Sequence, residues 1–429
     1  MVRKAIRCLT VPPSSLWRDA DFLRLWTGQT VSELGSVVTR TALPLVALLT
    51  LGAGPAEMAY LVVARSSGVL LVGLFAGAWV DRLPRRPVLI WTDVIRAALL
   101  LSVPVTAAVG TLGIAQLYAV AFLEACFGTL FHSAYRSYLP SLVGVEGLLE
   151  GNAKLSQSSS VAEVGGPGLA GALVQIVSAP FAILVDAVSF VASAISLVAI
   201  RAQEVPRSRE LRQTIGREIV EGLRFVRSHA LVLPIAASSI SEHFFGSFYA
   251  ALYSLYLLEV LGLTPLLLGI VISAGGVGSL VGATFAGRVV RRIGIGHAIF
   301  VMMLASSVIG VLTPLASGPL FVATLMVFLP QLIGDGMNTI EWVARDTVVL
   351  TAVPDRVLGR VNATLDVLSH GAAPFGALVA AAIAERYGVR AAISVAWLGM
   401  LASVLFIAFS PLPRLRSLDA IRPSSDGRG

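Results

Sequence analysis

Charge is scarce in this chain. Only 13% of its 429 residues are Asp, Glu, Lys or Arg, against about 25% in soluble domains. With 56% hydrophobic residues and a mean hydropathy of +0.83, there is too little polar surface for a water-soluble globular domain. Cysteine is nearly absent. Cys8 and Cys126 allow neither a disulfide framework nor a cysteine-based metal spacing. Lysine is confined to Lys4 and Lys154. That arginine bias reflects base composition of the source genome rather than nucleic-acid binding. The alternating ten-residue segments of a β-barrel are missing. So is a Gly-x-x-x-x-Gly-Lys-Ser/Thr phosphate loop, which disfavours an ATP-driven pump. No loop carries a His-Asp or metal-ligand cluster, so no catalytic residues, metal or cofactor are expected, and a membrane-embedded enzyme is a distant alternative.

What is present is a succession of apolar stretches near the length that a helix needs to cross a hydrocarbon core. Lipid offers the backbone no partners, so each stretch must satisfy its own amides as a helix. Gly, Pro and charge divide them into twelve spans, at about 22–49, 57–80, 88–109, 113–135, 158–178, 180–200, 231–258, 266–290, 296–316, 319–343, 363–384 and 391–410. The expected fold is therefore all-α, a membrane protein of twelve transmembrane helices. The links after even-numbered spans and both tails hold nearly all the extramembrane arginine. Those after odd-numbered spans carry none, except Arg386 and Arg390 in the last. The positive-inside rule then places both termini in the cytosol of a cell inner (cytoplasmic) membrane, and the net charge of +7 is an orientation signal. The polar, proline-broken start reads as a cytosolic tail rather than a cleavable signal peptide.

The longest link, 201–230, places Ile215, Ile219, Leu223 and Val226 on one helical face, as in an amphipathic helix lying on the inner leaflet. It separates two halves with internal likeness. A slide that brings Val31–Glu33 ("VSE") onto Ile240–Glu242 ("ISE") also brings Gly73 onto Gly282, Arg82 onto Arg291, and His132 and Arg136 onto Glu341 and Arg345. The expected organisation is a tail over 1–21, a six-helix bundle over 22–200, the linker 201–230, a second bundle over 231–410 and a tail over 411–429. Two pseudo-symmetric bundles around a midplane site form the architecture of an alternating-access transporter.

The stretch "GAWVDRLPRR" resembles the loop signature between spans 2 and 3 of the major facilitator superfamily, Gly-x-x-x-Asp-Arg-x-Gly-Arg-Arg. Gly77, Asp81, Arg82, Arg85 and Arg86 match it, and Pro84 replaces a glycine. "GPGLAG" resembles the Gly-Pro-x-x-Gly-Gly motif of exporters through Gly166, Pro167 and Gly171, with Ala170 replacing one glycine. "LWTGQTVSELGS", "DRLPRRPVLIWTDVIRA", "YRSYLPSLV" and "PDRVLGRVNA" are similar to the branch holding the enterobactin exporter, macrolide efflux proteins and transmembrane secretion effectors. The resemblance spans nearly the whole chain and implies the major facilitator fold and drug:proton antiport. It also implies that the first-loop motif steadies the outward-open state.

From the residues themselves, Asp81, Arg85 and Arg86 with Asp93 and Arg96 form a charged latch at the cytosolic rim. Asp93 and Arg96 are three apart on one helical face. Ionisable groups deep in spans cost roughly 2.5–3.5 kcal/mol each on insertion scales, so each needs a role. Glu33 is the first candidate proton carrier, with Glu124 and Asp335 next. Arg40 and Arg65, at similar depth, join them as proton-coupling or substrate candidates, the alternative being a structural pair of Glu33 with Arg40 or Arg65. Glu242, Asp186 and Glu163 are weaker candidates, and His243, Asp366 and His370 are able to titrate near neutral pH. His132 with Arg136, and Glu341 with Arg345, read as rim gates. The Gly166–Gly171 segment suggests a tight seam with the facing half, and Phe244, Phe245, Phe248 and Tyr249 suggest soft contacts to cargo. The expectation is a monomeric secondary transporter in the lipid bilayer. It would export a small hydrophobic or amphiphilic compound, such as an antibiotic or siderophore, against a coupling ion, taken as a proton. The alternative is a proton-coupled importer.

Overall fold

A computed structural model describes residues 16–80, 83–202 and 215–418; the side chains at 74, 76–78, 80 and 215–220 also lie outside the description. Asp81 and Arg82, and the surroundings of Gly77, therefore fall beyond the described residues. Every regular element described is helical. This follows from the solvent, because a chain in hydrocarbon must close its hydrogen bonds within each segment.

Helix α1 (Ala20–Leu45) ends in a π-turn, Val46–Thr50, and is followed by α2 (Pro55–Val80) and α3 (Arg85–Ala108). Helix α4 runs from Ile114 to Val177. At 1.5 Å per residue its 64 residues would stretch about 96 Å, some three hydrocarbon cores. Gly144, at φ 67° and ψ 173°, interrupts it and makes two crossings of it. Helices α5 (Ala179–Ala182) and α6 (Leu184–Ala199) complete the sixth span.

The linker helix α7 (Ile215–Ser228) precedes α8 (Val232–Leu255), which ends in a second π-turn, Tyr256–Val260. Then come α9 (Pro265–Ile293), α10 (Ile295–Gly310) with α11 (Leu312–Leu315), and α12 (Leu320–Leu329), joined through a π-turn at Pro330–Gly334 to α13 (Asp335–Ala352). Helices α14 (Asp355–Tyr387) and α15 (Val389–Ala408) finish the chain. Among the described residues, 10 helices are long and apolar enough to cross a membrane, α4 being one of them. The second arm of α4 and α8, whose apolar run is diluted by Ser238, Ser239, Ser241, Glu242 and His243, bring the crossings to twelve.

The chain divides into two compact units. One takes the described residues of Met1–Leu43 and Leu71–Glu210; the other takes those of Pro44–Leu70 and Leu211–Gly429. The second unit thus includes the end of α1 and the start of α2, which a boundary drawn only at the 201–230 link does not. In the first unit, α3 packs along α6 and α4, and Phe22, Leu25, Leu89, Phe131, Tyr138 and Leu197 are buried together. In the second, α8 lies against α14 and α15, and α13 against α9 and α10. Lipid tails supply no hydrophobic drive between helices, so close approach must come from small residues. Gly278 and Gly282 of α9 meet the carbonyls of Leu332 and Gly336 with no room for a Cβ.

The linker helix departs from expectation. Of the expected apolar face, Val226 is buried against protein and Leu223 is exposed, while the side chains of Ile215 and Ile219 lie outside the description. Gly222 is pressed on Arg360 and Thr364 of α14, Glu221 pairs with Arg360 at 2.5 Å, and Val226, 2% exposed, joins Val232, Val353, Val357 and Val361.

The internal repeat reaches down to backbone conformation. The slide that brings Gly52 (φ 65°) onto Gly262 (φ 71°) superposes the π-turns at Val46–Thr50 and Tyr256–Val260, and the prolines that open α2 and α9. It also matches two bonds: Ala53 N–H donates to the Ala47 carbonyl, and Leu263 N–H to that of Leu257. The same slide pairs Ser178 (φ 81°) with Gly388 (φ 89°).

Candidate functional site

In the first unit the polar centre forms around Arg96. Pro84 fixes the extended entry to α3, and Arg96 lies eleven residues in, about 16 Å along the axis. Its Nη2 donates to Glu124 Oε1 at 2.7 Å, and its Nη1 is 3.9 Å from Asp93 Oδ1. The guanidinium also stacks over Phe190, 3.9 Å from the ring centroid. Asp93 is wholly buried, and neither carboxyl oxygen has a hydrogen-bond donor in bonding geometry. One cation therefore serves two carboxyls in a water-poor interior, where charge pairing is strong and incomplete pairing is costly.

This corrects the expected rim latch in two respects. Arg96 is a mid-helix group that reaches Glu124, not a partner of the rim. Arg86, at the start of α3, donates through Nε to Leu197 O at 3.0 Å and through Nη2 to Val198 O at 2.7 Å, capping the last carbonyls of α6. Arg85 beside it is buried, 6% exposed. Glu33 lies within electrostatic reach of Arg40, Glu163 and Arg96, with Ser159 in hydrogen-bonding reach. Arg40 pairs with Glu163, at 2.8 Å, rather than with Glu33. Arg65 and Arg136 are exposed on α2 and α4.

The second unit holds its own cluster around Arg345. Nη1 and Nη2 take both oxygens of Glu242 at 2.8 and 2.9 Å, Nε donates to Glu341 at 2.6 Å, and Nη1 also donates to Ser239 Oγ at 2.9 Å. Ser238 Oγ adds a bond to Glu242 at 3.2 Å. Glu341 and Arg345 are 6% and 7% exposed. Every partner belongs to the second unit, so the expected rim gate is an internal clamp joining α8 to α13. The fork of Arg345 matches the two-oxygen geometry of a carboxylate. Glu242, ranked low from sequence, turns out to be central. The signal was there in its alignment with Glu33.

Asp335 stands apart from both clusters. It follows the π-turn and lines a pocket of about 250 Å³ with Ser279, Asn338, Thr339 and Trp342. Gly166, at the start of the Gly166–Gly171 segment, packs within its own unit. A Cβ on Gly166 would come within 2.5 Å of Val37 Cγ1, so this glycine seats α4 on α1 of its own unit; Pro167, Ala170 and Gly171 are buried beside it. Of the aromatics, Phe248 is fully buried, and Phe245, half-buried, is pressed on Gly399 of α15. Phe244 and Tyr249 remain half-buried.

A twelve-crossing helical fold with internal repetition and buried charge clusters is that of a transporter of the major facilitator type. Solved structures agree on the fold. A bacterial homologue of the iron transporter ferroportin, in an inward-facing state, has a TM-score of 0.69 at 19% identity, covering 92% of this chain and 98% of that one. The nucleoside transporter NupG has a TM-score of 0.69 at 11% identity over 90% and 97%. Residues 13–426 match the family model described as transmembrane secretion effector, and the chain belongs to that family. It is 28% identical over 397 residues to the multidrug efflux pump Tap of Mycolicibacterium fortuitum, spanning 90% of this chain and 94% of the relative. To Tap of Mycobacterium tuberculosis it is 27% identical over 373 residues, 83% and 85% of the two chains. The protein is thus a multi-pass membrane transporter, and its relatives and fold neighbours are transporters rather than enzymes.

Proposed function

We propose that this transporter exports a small hydrophobic or amphiphilic compound in exchange for an inward-moving proton, by alternating access of its two units in the cytoplasmic membrane. Both termini face the cytosol in this reading, and the Asp81–Arg86 turn steadies the state closed on that side. The supporting observation is the Arg96 cluster, one guanidinium between Glu124 and an Asp93 that has Ser193 in reach but no donor in bonding geometry. Two carboxyls facing one cation have room for one proton between them, and releasing it changes the charge of the site by one. That is the exchange an antiporter needs. The likeness to proteins named multidrug efflux pumps favours export and a broad, apolar cargo. One proton moving down 100 mV supplies about 2.3 kcal/mol, enough for a roughly fifty-fold gradient of cargo.

Cells expressing the protein, challenged with a panel of amphiphilic antibiotics, are expected to accumulate less of at least one compound, and a protonophore is expected to erase the difference. In everted vesicles, the same compound is expected to dissipate a preset pH gradient with the wild type, and to do so far less with Glu124→Gln or Asp93→Asn. Greater accumulation in expressing cells would mean import. Accumulation indifferent to the protonophore would remove the proton from the mechanism.

A further inference from the structure

His243 follows Glu242 in the chain and lies within electrostatic reach of Glu242 and Arg345, but neither His243 nor His370 is hydrogen-bonded to the side chains of either cluster. They lie eleven residues into α8 and fifteen into α14, near mid-helix on two helices that pack side by side in the second unit. Their ring centroids are 4.9 Å apart, with the planes inclined at 59°. His370 is exposed and His243 half-buried, so neither ring is sealed in a core.

The two rings are held alike. Nδ1 of His243 is 2.9 Å from the carbonyl oxygen of Ser239, and Nδ1 of His370 is 3.0 Å from that of Asp366. A carbonyl oxygen only accepts, so both Nδ1 atoms carry hydrogen, and each neutral imidazole keeps its lone pair on Nε2. A backbone carbonyl that takes the second N–H is what orients metal-ligating histidines and fixes their tautomer. The spacing agrees as well. Two imidazoles bound at about 2.0–2.1 Å to one tetrahedral ion place their centroids about 5.2 Å apart, close to the 4.9 Å found here.

We propose that His243 and His370 together bind one late first-row divalent cation, such as zinc or cobalt(II), through their Nε2 atoms. Imidazole selects ions of this kind over magnesium or calcium. Among the described residues, no third His, Cys, Asp or Glu completes a ligand group. The remaining coordination positions are therefore open to water or to a chelating solute, one position more than in three-ligand sites that hold an exchangeable ligand. The site does not depend on proton coupling or on the direction of transport.

The test uses the full-length protein, purified in detergent without a polyhistidine tag and stripped with a chelator. Cobalt(II) titration is expected to give a saturable change of visible absorption away from that of the aqua ion at one ion per chain, displaced by zinc and not by a magnesium excess. His243→Ala and His370→Ala are each expected to weaken binding by about tenfold or more, and His297→Ala on α10 to leave it unchanged. His370→Asn, which keeps a polar side chain of similar size, guards against misfolding. It is expected to elute as the wild type does and still lose the signal. A titration identical in the wild type and the His243→Ala/His370→Ala double variant overturns the site, as does a cobalt spectrum that stays that of the aqua ion. Because the readout is bound metal, these results stand apart from the efflux measurements.

Discussion

Arg345→Met removes the one cation that Glu242 and Glu341 share. Methionine keeps much of the apolar stem of the arginine, so the loss is electrostatic more than a cavity. The wild-type guanidinium makes two bonds to Glu242, one to Glu341 and one to Ser239, all in a buried setting. Stripping one partner from a buried ion cluster costs about 3–5 kcal/mol, because the remaining charges stay desolvated and unpaired. Replacing a whole cluster with apolar residues is by contrast often neutral or stabilising. The triple variant Arg345→Met, Glu242→Leu, Glu341→Leu should therefore unfold at a higher temperature than the single variant and near the wild type. Tryptophan fluorescence of the detergent-purified proteins on heating, scored as a ranking, is sufficient. A single variant as stable as the wild type, or a triple variant less stable than the single, would refute the idea that the clamp is held by mutual charge compensation.

Ser178 holds φ 81° and ψ 160°, a region where only glycine is at ease, and its repeat mate is Gly388. Ser178→Gly should therefore raise stability by about 1 kcal/mol in the same thermal assay. Gly278→Ala would drive a methyl into the Leu332 carbonyl and part α9 from the α12–α13 bend. An expected loss of about 1–3 kcal/mol should appear as lower yield of monodisperse protein. Arg86→Ala abandons two carbonyls at the end of α6; about 1.5–3 kcal/mol per charged hydrogen bond bounds the loss. Arg86→Lys, with one donor group in place of a fork, should recover part of it. Asp81→Asn is expected to leave membrane insertion intact and cut efflux severely, measured by drug accumulation at matched expression. Near-normal efflux would sink the latch.

The helices and their number were legible because hydrocarbon leaves the backbone no other choice, and Gly, Pro and arginine mark the breaks. Only Gly144 defeats a reading by helix length, since helical hydrogen bonding continues on both sides of a single reversed φ. Charge partners were harder to read. Depth along a helix can be counted from sequence, so Glu124 was visible as a buried group, whereas Arg96 reads with the charged turn at the rim although it stands eleven residues into α3. Which one meets which depends on the rotation of α3 against α4, and no spacing encodes that. Glu242 shows the same limit. Its alignment with Glu33 was present in the sequence, but its bond to Arg345 exists only once α8 and α13 are side by side. The seam residues mislead in another way. Gly166 permits close approach whichever helix arrives, and the one that arrives is α1 of its own unit.

The two clusters are not copies of each other, although the backbone around them is. The slide that matches the π-turns brings Glu33 within a residue of Glu242 and Arg136 within a residue of Arg345, yet the first unit builds its cluster from Arg96, Glu124 and Asp93. Repetition therefore governs where helices bend and how closely they pack, and charge placement follows a separate constraint in each unit. The consequence for proton exchange lies in the bonds that would be lost. A proton arriving at Glu242 or Glu341 must break charge-assisted bonds to Arg345, each worth more than a neutral one. A proton arriving at Asp93 displaces no charge-assisted hydrogen bond, since Arg96 Nη1 is 3.9 Å away and the donor in reach is the neutral Ser193 hydroxyl. An exchange site that cycles at every turnover needs the second kind of group and a structural clamp needs the first, which assigns the proposed coupling role to the Arg96 cluster and the fastening of α8 to α13 to Arg345.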